Sequence, residues 1–214
     1  MNQSMKYKLL ILCLIVIISG ISLNVLAQKQ KVILDCDLGG DIDDAYALAL
    51  LISSPELEVL GVVMDHGNTP KRAQIACRML YDAGLERIPV VVGRKTLDDY
   101  SNQFYWGEGF DKVQPIKQGA ADFIIEQLKK YPDEVVLITI GPVPNIADVI
   151  DKDPEALKLA KHVYAMFGSF YMGYEKSPIP VAECNVISEV QAAKKNGYFR
   201  GKNHLCRTGY YHIC

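Results

Sequence analysis

The chain has 214 residues, a formal net charge of −2, 50% hydrophobic residues and 22% charged residues. With charge so near balance and no basic run, nothing in it invites nucleic acid or an anionic membrane surface. Residues 28–214 are enough for one domain, and no repeat or low-complexity linker divides them.

Residues 1–27 read as a targeting segment. Lys6 and Lys8 form a positive start, Leu9 to Ile18 an apolar core, and Val25-Leu26-Ala27 supply small residues for cleavage. Ser19, Gly20, Ser22 and Asn24 weaken the second half as a membrane span, so cleavage is expected rather than a retained anchor. No cysteine stands at the cleavage point, which argues against a lipoprotein. The expectation is export, to a periplasm or outside the cell, with no membrane association after cleavage. Cys13 leaves with this segment. Cys36, Cys77, Cys184, Cys206 and Cys214 remain, an odd number without a C-x-x-C pair, so neither a zinc site nor a disulfide framework is expected. Cys36 is expected to be buried and free.

Val32-Ile33-Leu34 has strand character and runs straight into acid. Asp35, Asp37, Asp41, Asp43 and Asp44 follow within ten residues, with Gly39 and Gly40 among them. A helix pattern comes next, with Ala45, Leu48, Ala49 and Ile52 on one face. A helix N-terminus favours nearby negative charge, but only enough for about one such group. Carboxylates packed this closely repel one another unless a cation neutralises them. A glycine-containing loop of carboxylates suits a hard cation, Ca²⁺ or Mg²⁺. An ordinary acidic turn with a cap needs only one or two acids, and Asp35 and Asp37 precede the cap. An EF-hand starting at Asp35 fails, because Gly39 and Tyr46 would occupy ligand positions. A Mg²⁺-dependent D-x-D phosphohydrolase, with Asp35 as nucleophile and Asp37 as acid, stays as an alternative. Against it, Gly39 stands where such an enzyme would want Thr or Val.

Strand and helix patterns then alternate. Strands are expected at 57–64, 88–92, 135–140 and 162–167, and helices at 70–83 and 119–131, with the turn from Gly141 to Asn145 leading into a third that runs to Ile150. The first two helices turn Ala73, Ala76, Cys77 and Leu80, then Ala120, Phe123, Ile124 and Leu128, inward. Residues 96–118 read as irregular, with an aromatic cluster from Tyr100 to Phe110 that suits packing better than base stacking. Strands separated by helices imply right-handed crossovers and an open, mainly parallel α/β sheet flanked by helices. Such sheets bind ligands beyond the carboxyl ends of their strands. The acidic loop, Asn68, the Gly141 turn and the Met166-Phe167-Gly168 turn all fall at such ends.

DCDLGGDIDDAYAL resembles the D-x-D-x-G-x-D-D-A signature of the inosine–uridine-preferring nucleoside hydrolases, with two extra residues before the paired acids. Gly67-Asn68 resembles the family's G-N. Ile140-Gly141-Pro142 resembles its T-G-P turn, with Pro144-Asn145 in place of T-N. Met166-Phe167-Gly168 is similar to M-G-G, and Ala182-Glu183-Cys184-Asn185 to A-E-F-N. Trp106-Gly107-Glu108-Gly109 sits where the family often has H-G-x-x-G, without the histidine.

The resemblance covers Val32 to about Asn196 and implies a Rossmann-like nucleoside hydrolase fold. It implies hydrolysis of the N-glycosidic bond of ribonucleosides to ribose and base, with Ca²⁺ as cofactor and a small-molecule nucleoside as partner. Asp37 is then the general base and a metal ligand. Asp44 and the Ile140 carbonyl are further metal ligands, with Asp35 a ligand or support behind them. Asp43, Asn68, Met166, Glu183 and Asn185 are implied in substrate binding. Homo-oligomer formation is left open.

The resemblance also implies a later D-x-T-H-type segment, with another aspartate ligand and a histidine near the departing base. The sequence ends at Cys214 without it. Residues 201–214 are therefore set apart as an atypical tail beyond an α/β domain at 28–200, lacking strand or helix period. His204 and His212 are candidates to mimic the histidine, though surface histidines are the commoner case. A C-terminally truncated member with weak or no nucleosidase activity, or a non-catalytic product, is the resulting expectation.

Overall fold

The computed structural model describes residues 28–101, 103–166, 168, 169, 173, 177–197 and 203–206, together with Gln3. The leader with its cleavage point, Phe167, the side chain of His204, and His212 lie outside the described residues.

Parallel strands make up the sheet, and the central ones, rich in Val, Ile and Leu, are buried on both faces. The strands are β1 (Gln30–Cys36), β2 (Leu57–Met64), β3 (Val90–Val92), β4 (Val135–Thr139), β5 (His162–Met166) and β6 (Asn203–Cys206). They lie side by side in the order β3-β2-β1-β4-β5-β6. Every neighbouring pair is parallel. Chain order reverses between β1 and β4, and such a switch point opens a crevice beyond the strand ends. The expected α/β sheet is thus present.

The two faces of β1 feed two cores. Ile33 packs with residues of α4 (Ala120–Lys130) and α5 (Pro144–Lys152), including Phe123, Ile124, Leu128 and Ile146. Val32, Leu34 and Cys36 face the other layer, built by α1 (Asp43–Ser53) and α2 (Thr69–Asp82) through Leu48, Leu51, Ala73, Ala76, Cys77 and Leu80. The inward positions expected for α2 and α4 are all buried. The α1 stripe is rotated from the expected one. Asp44, Leu48 and Leu51 are its buried residues, while Ala45, Ala49 and Ile52 are half-buried. Turning Asp44 inward is what shifts it.

Short elements escaped the sequence pattern. The irregular stretch holds a single turn, α3 (Phe104–Gly107), whose Phe104 is buried while Tyr100 and Tyr105 are exposed. Helices α6 (Cys184–Ser188) and α7 (Val190–Gly197) follow β5. Residues 203–206 are not tail but strand, with Val163 through Met166 opposite Asn203 through Cys206. Asn-His-Leu-Cys carries no β pattern; the hydrogen-bonding edge of β5 recruits it. Among the described residues no helix is long and apolar enough to cross a membrane.

Candidate functional site

The ends of β1, β2, β4 and β5 meet at one cleft of about 540 Å³. Asp37, Asp41, Asp43 and Asp44 come to it from the acidic loop, Ile140 and Pro142 from the turn after β4, and Met166 from the end of β5. Glu183, Cys184, Asn185 and Ser188 close it from α6 and its entry. The acidic loop bends at Gly39, where φ is +96° and a Cβ would stand 2.6 Å from Ile75 Cδ1. Only glycine fits both the backbone and the space there.

Below the cleft floor lies a second acidic layer. Asp35 is fully buried, and its Oδ1 accepts from Asn145 Nδ2 at 2.8 Å. Asn145 is fully buried too, and its Nδ2 also donates to the Met64 carbonyl at 3.0 Å. Asp65, at the end of β2, is fully buried and accepts from the Val143 N–H at 3.4 Å. Val143 has φ of 64°, a left-handed conformation that is strained for a β-branched residue. Backbone bonds tie these ends together, from Ile140 N to Asp35 O at 2.9 Å and from Asp65 N to Cys36 O at 3.0 Å.

Glu183 is buried and caps α6. Its Oε1 accepts from Asn185 N at 2.9 Å, and its Oε2 from Gly168 N at 2.9 Å and Val186 N at 3.3 Å. Asn185 Nδ2 donates to the carbonyls of Ile140 and Met166, each at 2.9 Å. The A-E-C-N segment therefore braces the carbonyl implied as a ligand. Asn68, unlike Asp35 beneath the floor, stands to the side of the cleft. It does not line the cleft; its N–H donates to Asp99 Oδ1 at 2.6 Å, and its side chain faces Asp98 at 3.5 Å.

Burial dominates the electrostatics. It raises the Asp35 carboxyl to about 7, opposed by the Asn145 hydrogen bond and reinforced by Asp37. It raises Asp37 as well, against the pull of Arg72 and His66. Asp44 and Asp65 rise well above the ordinary range, by burial first and then by neighbouring carboxylates. Asp35 Oδ2, Asp44 Oδ1 and Asp65 Oδ1 are buried without a hydrogen-bond partner. Orphaned carboxylate oxygens in a group that cannot all ionise together fit a hard divalent cation with oxygen ligands. Among the described residues no three acid, histidine or cysteine side chains already form a cage. A set of two carboxylates plus the Ile140 carbonyl needs no such cage.

The D-x-D phosphohydrolase alternative is not favoured. Its nucleophile would be Asp35, which is sealed beneath the cleft and bonded to Asn145. No disulfide framework is expected from the sequence, and Cys184 nonetheless forms a disulfide. Cys36 is buried and free, as expected.

Sequence reading passed over His66, Arg72, Asp99, Asn145 and Asp65. Asp65 and His66 break the apolar run of β2 at its carboxyl end, and Arg72 stands on the inward stripe of α2 with Thr69, Ala73 and Ala76. Both were readable signals. Asp99 comes from an irregular loop and carried none.

The same residues carry likeness to known proteins. A family model described as inosine-uridine preferring nucleoside hydrolase matches residues 32–195. A probable uridine nucleosidase 2 from Arabidopsis thaliana is 30% identical over 183 residues, covering 78% of this chain and 56% of the relative. A pyrimidine-specific ribonucleoside hydrolase from Citrobacter koseri is 29% identical, covering 76% and 55%. Among solved structures, a plant nucleoside hydrolase superposes with a TM-score of 0.72 at 27% identity, covering 84% of this chain and 60% of that one. The chain thus spans little more than half the length of these relatives. Since the matched stretch holds the acidic loop, the switch-point crevice and the A-E-C-N segment alike, the chain belongs to the inosine-uridine preferring nucleoside hydrolase family.

Proposed function

We propose that the cleft hydrolyses the N-glycosidic bond of ribonucleosides, giving ribose and free base, with Ca²⁺ as the cation. One observation carries this reading. The acidic loop, the Ile140 carbonyl and the Glu183–Asn185 segment converge on one cleft above buried, partnerless carboxylate oxygens. Membership of a metal-dependent family supports the cation. Asp37, Asp44 and the Ile140 carbonyl would hold it, with Asp35 behind them. When bound, such a cation lowers the pKa of water and takes up negative charge.

The residues then divide the work. Asp37 is the general base and takes a proton from the attacking water. Water oxygen bonds to the anomeric carbon as the carbon–nitrogen bond breaks, and the bond electrons leave with the base. The sugar passes through an oxocarbenium-like state, so the acidic wall also stabilises developing positive charge. Asp43, Glu183 and Asn185 orient the ribose, with Met166 against it. Asn68, the remaining residue expected at the ribose, stands off the cleft and holds Asp98 and Asp99 instead.

The test is ribose release from inosine and uridine, with Ca²⁺ and after chelation. Release is expected to need the cation and to fall about 10²- to 10⁴-fold in Asp37→Ala. No ribose from either nucleoside, with phosphate released from a phosphomonoester in Mg²⁺, would overturn the reading. We also propose export with cleavage after Ala27. The disulfide at Cys184 supports an oxidising compartment. Mass spectrometry of the exported protein should find Gln28 first; a retained Met1 in a membrane fraction would contradict it.

A further inference from the structure

Arg72 is the buried cation of this site. Its side chain is 4% exposed, in the first turn of α2, and its guanidinium is used on every side. Nε donates to the His66 carbonyl at 2.7 Å. Nη1 donates to the carbonyls of Asp37 and of Leu38, the latter at 3.1 Å. Nη2 pairs with Asp99 Oδ2 at 3.3 Å and stands 4.0 Å from Asp37 Oδ2. One planar fork therefore joins the end of β2, the acidic loop and the loop after β3. Asp99 extends the link, since its other oxygen takes the Asn68 N–H.

The acidic loop needs such a clamp. It carries Asp37, Asp41, Asp43 and Asp44 around the cleft, and their mutual repulsion favours an open loop. The loop passes close to the guanidinium at Gly40, whose ideal Cβ would stand in ordinary contact at 3.6 Å from Arg72 Nη1. A bonded carbonyl fixes the backbone, and the backbone fixes where each carboxylate stands. Lysine would supply the charge without the fork, because an ammonium is a point donor and cannot bridge segments in a plane.

We propose that Arg72 is a positioning residue: by holding the Asp37 and Leu38 carbonyls it sets the Asp37 and Asp44 carboxylates in place for the cation and the attacking water. This rests on the reading of the cleft given above.

The experiment compares the full chain with Arg72→Met, Arg72→Lys and Asp99→Asn. Hydrogen exchange is followed at the amides of residues 37–42, with β1 and β2 as internal controls. Ca²⁺ binding is followed by calorimetry, and ribose release is split into kcat and KM. Arg72→Met and Arg72→Lys should both exchange faster in the loop while the strands stay protected. Both should bind Ca²⁺ about 10- to 100-fold more weakly, with the loss of ribose release falling on kcat. Asp99→Asn keeps the guanidinium and should show the same changes to a smaller degree, which guards against a Met variant that does not fold. Unchanged loop exchange in Arg72→Met, or full rescue by Arg72→Lys, overturns the proposal. A parent that binds no Ca²⁺ and releases no ribose would instead sink the reading of the cleft, and loop exchange would still decide the role of Arg72.

Discussion

The Asp65 carboxylate occupies the space that a side chain at Gly141 would need: an ideal Cβ there would lie 2.5 Å from both carboxylate oxygens. The glycine of the I-G-P turn is thus required by an acid on another strand. Gly141→Ala should cost about 1–3 kcal/mol, as overpacking of a tight interior does. It should also displace the adjacent Ile140 carbonyl and weaken Ca²⁺ binding. In an Asp65→Ala background most of the stability cost should vanish. Denaturation of the two single variants and the double variant checks this, and additive losses would contradict it.

Asn145 donates to the Asp35 carboxylate, and it also bonds the Met64 carbonyl and the Arg94 N–H. Asn145→Leu keeps the bulk and removes all three contacts. The buried acceptors it strands should destabilise the protein by about 2–3 kcal/mol. Urea denaturation measures this; a loss within experimental error would mean that water replaces the amide.

Stability should depend on pH with an unusual sign. Asp35 moves from 3.8 to about 7 on folding. Between those values the folded state holds a proton that the unfolded state has lost, so stability falls as pH rises through the window. The penalty is absent below pH 3.8 and full above about 7. Asp37, Asp44 and Asp65 shift in the same direction. Thermal midpoints under chelation should therefore drop from pH 5 to 8. Added Ca²⁺ should reverse the drop most strongly at the alkaline end, where the ligands are ionised. A chelated profile that rises with pH would contradict this.

Glu183 spends both oxygens on backbone N–H groups at α6 and Gly168. Glu183→Ala should cost about 1–2 kcal/mol through the lost cap and loosen the Asn185 grip on the Ile140 carbonyl. Glu183→Gln keeps one acceptor and should lose only about half as much as the alanine variant. If the alanine variant keeps full stability and loses only ribose release, the capping role is wrong and direct sugar contact remains.

Local pattern alone carried the alternating elements, because apolar periodicity reports which face of each segment is buried. Leu57–Met64 is a strand from end to end as read, and Ala73, Ala76, Cys77 and Leu80 form the inward face of their helix. The acidic loop and its company at the strand ends were legible too, since acids in succession after an apolar run have few other uses. Tertiary structure decided the rest. Asn203–Cys206 becomes a strand only because β5 offers it an edge. Asp35 and Asp65 become a buried acidic layer, each with one unpartnered oxygen, only because β1, β2 and β4 end side by side. Arg72 becomes the clamp of the acidic loop only when α2, packed beside β2 and β3, brings it to the Asp37 and Leu38 carbonyls. Pairings of this kind join residues dozens of positions apart, and no local periodicity records them.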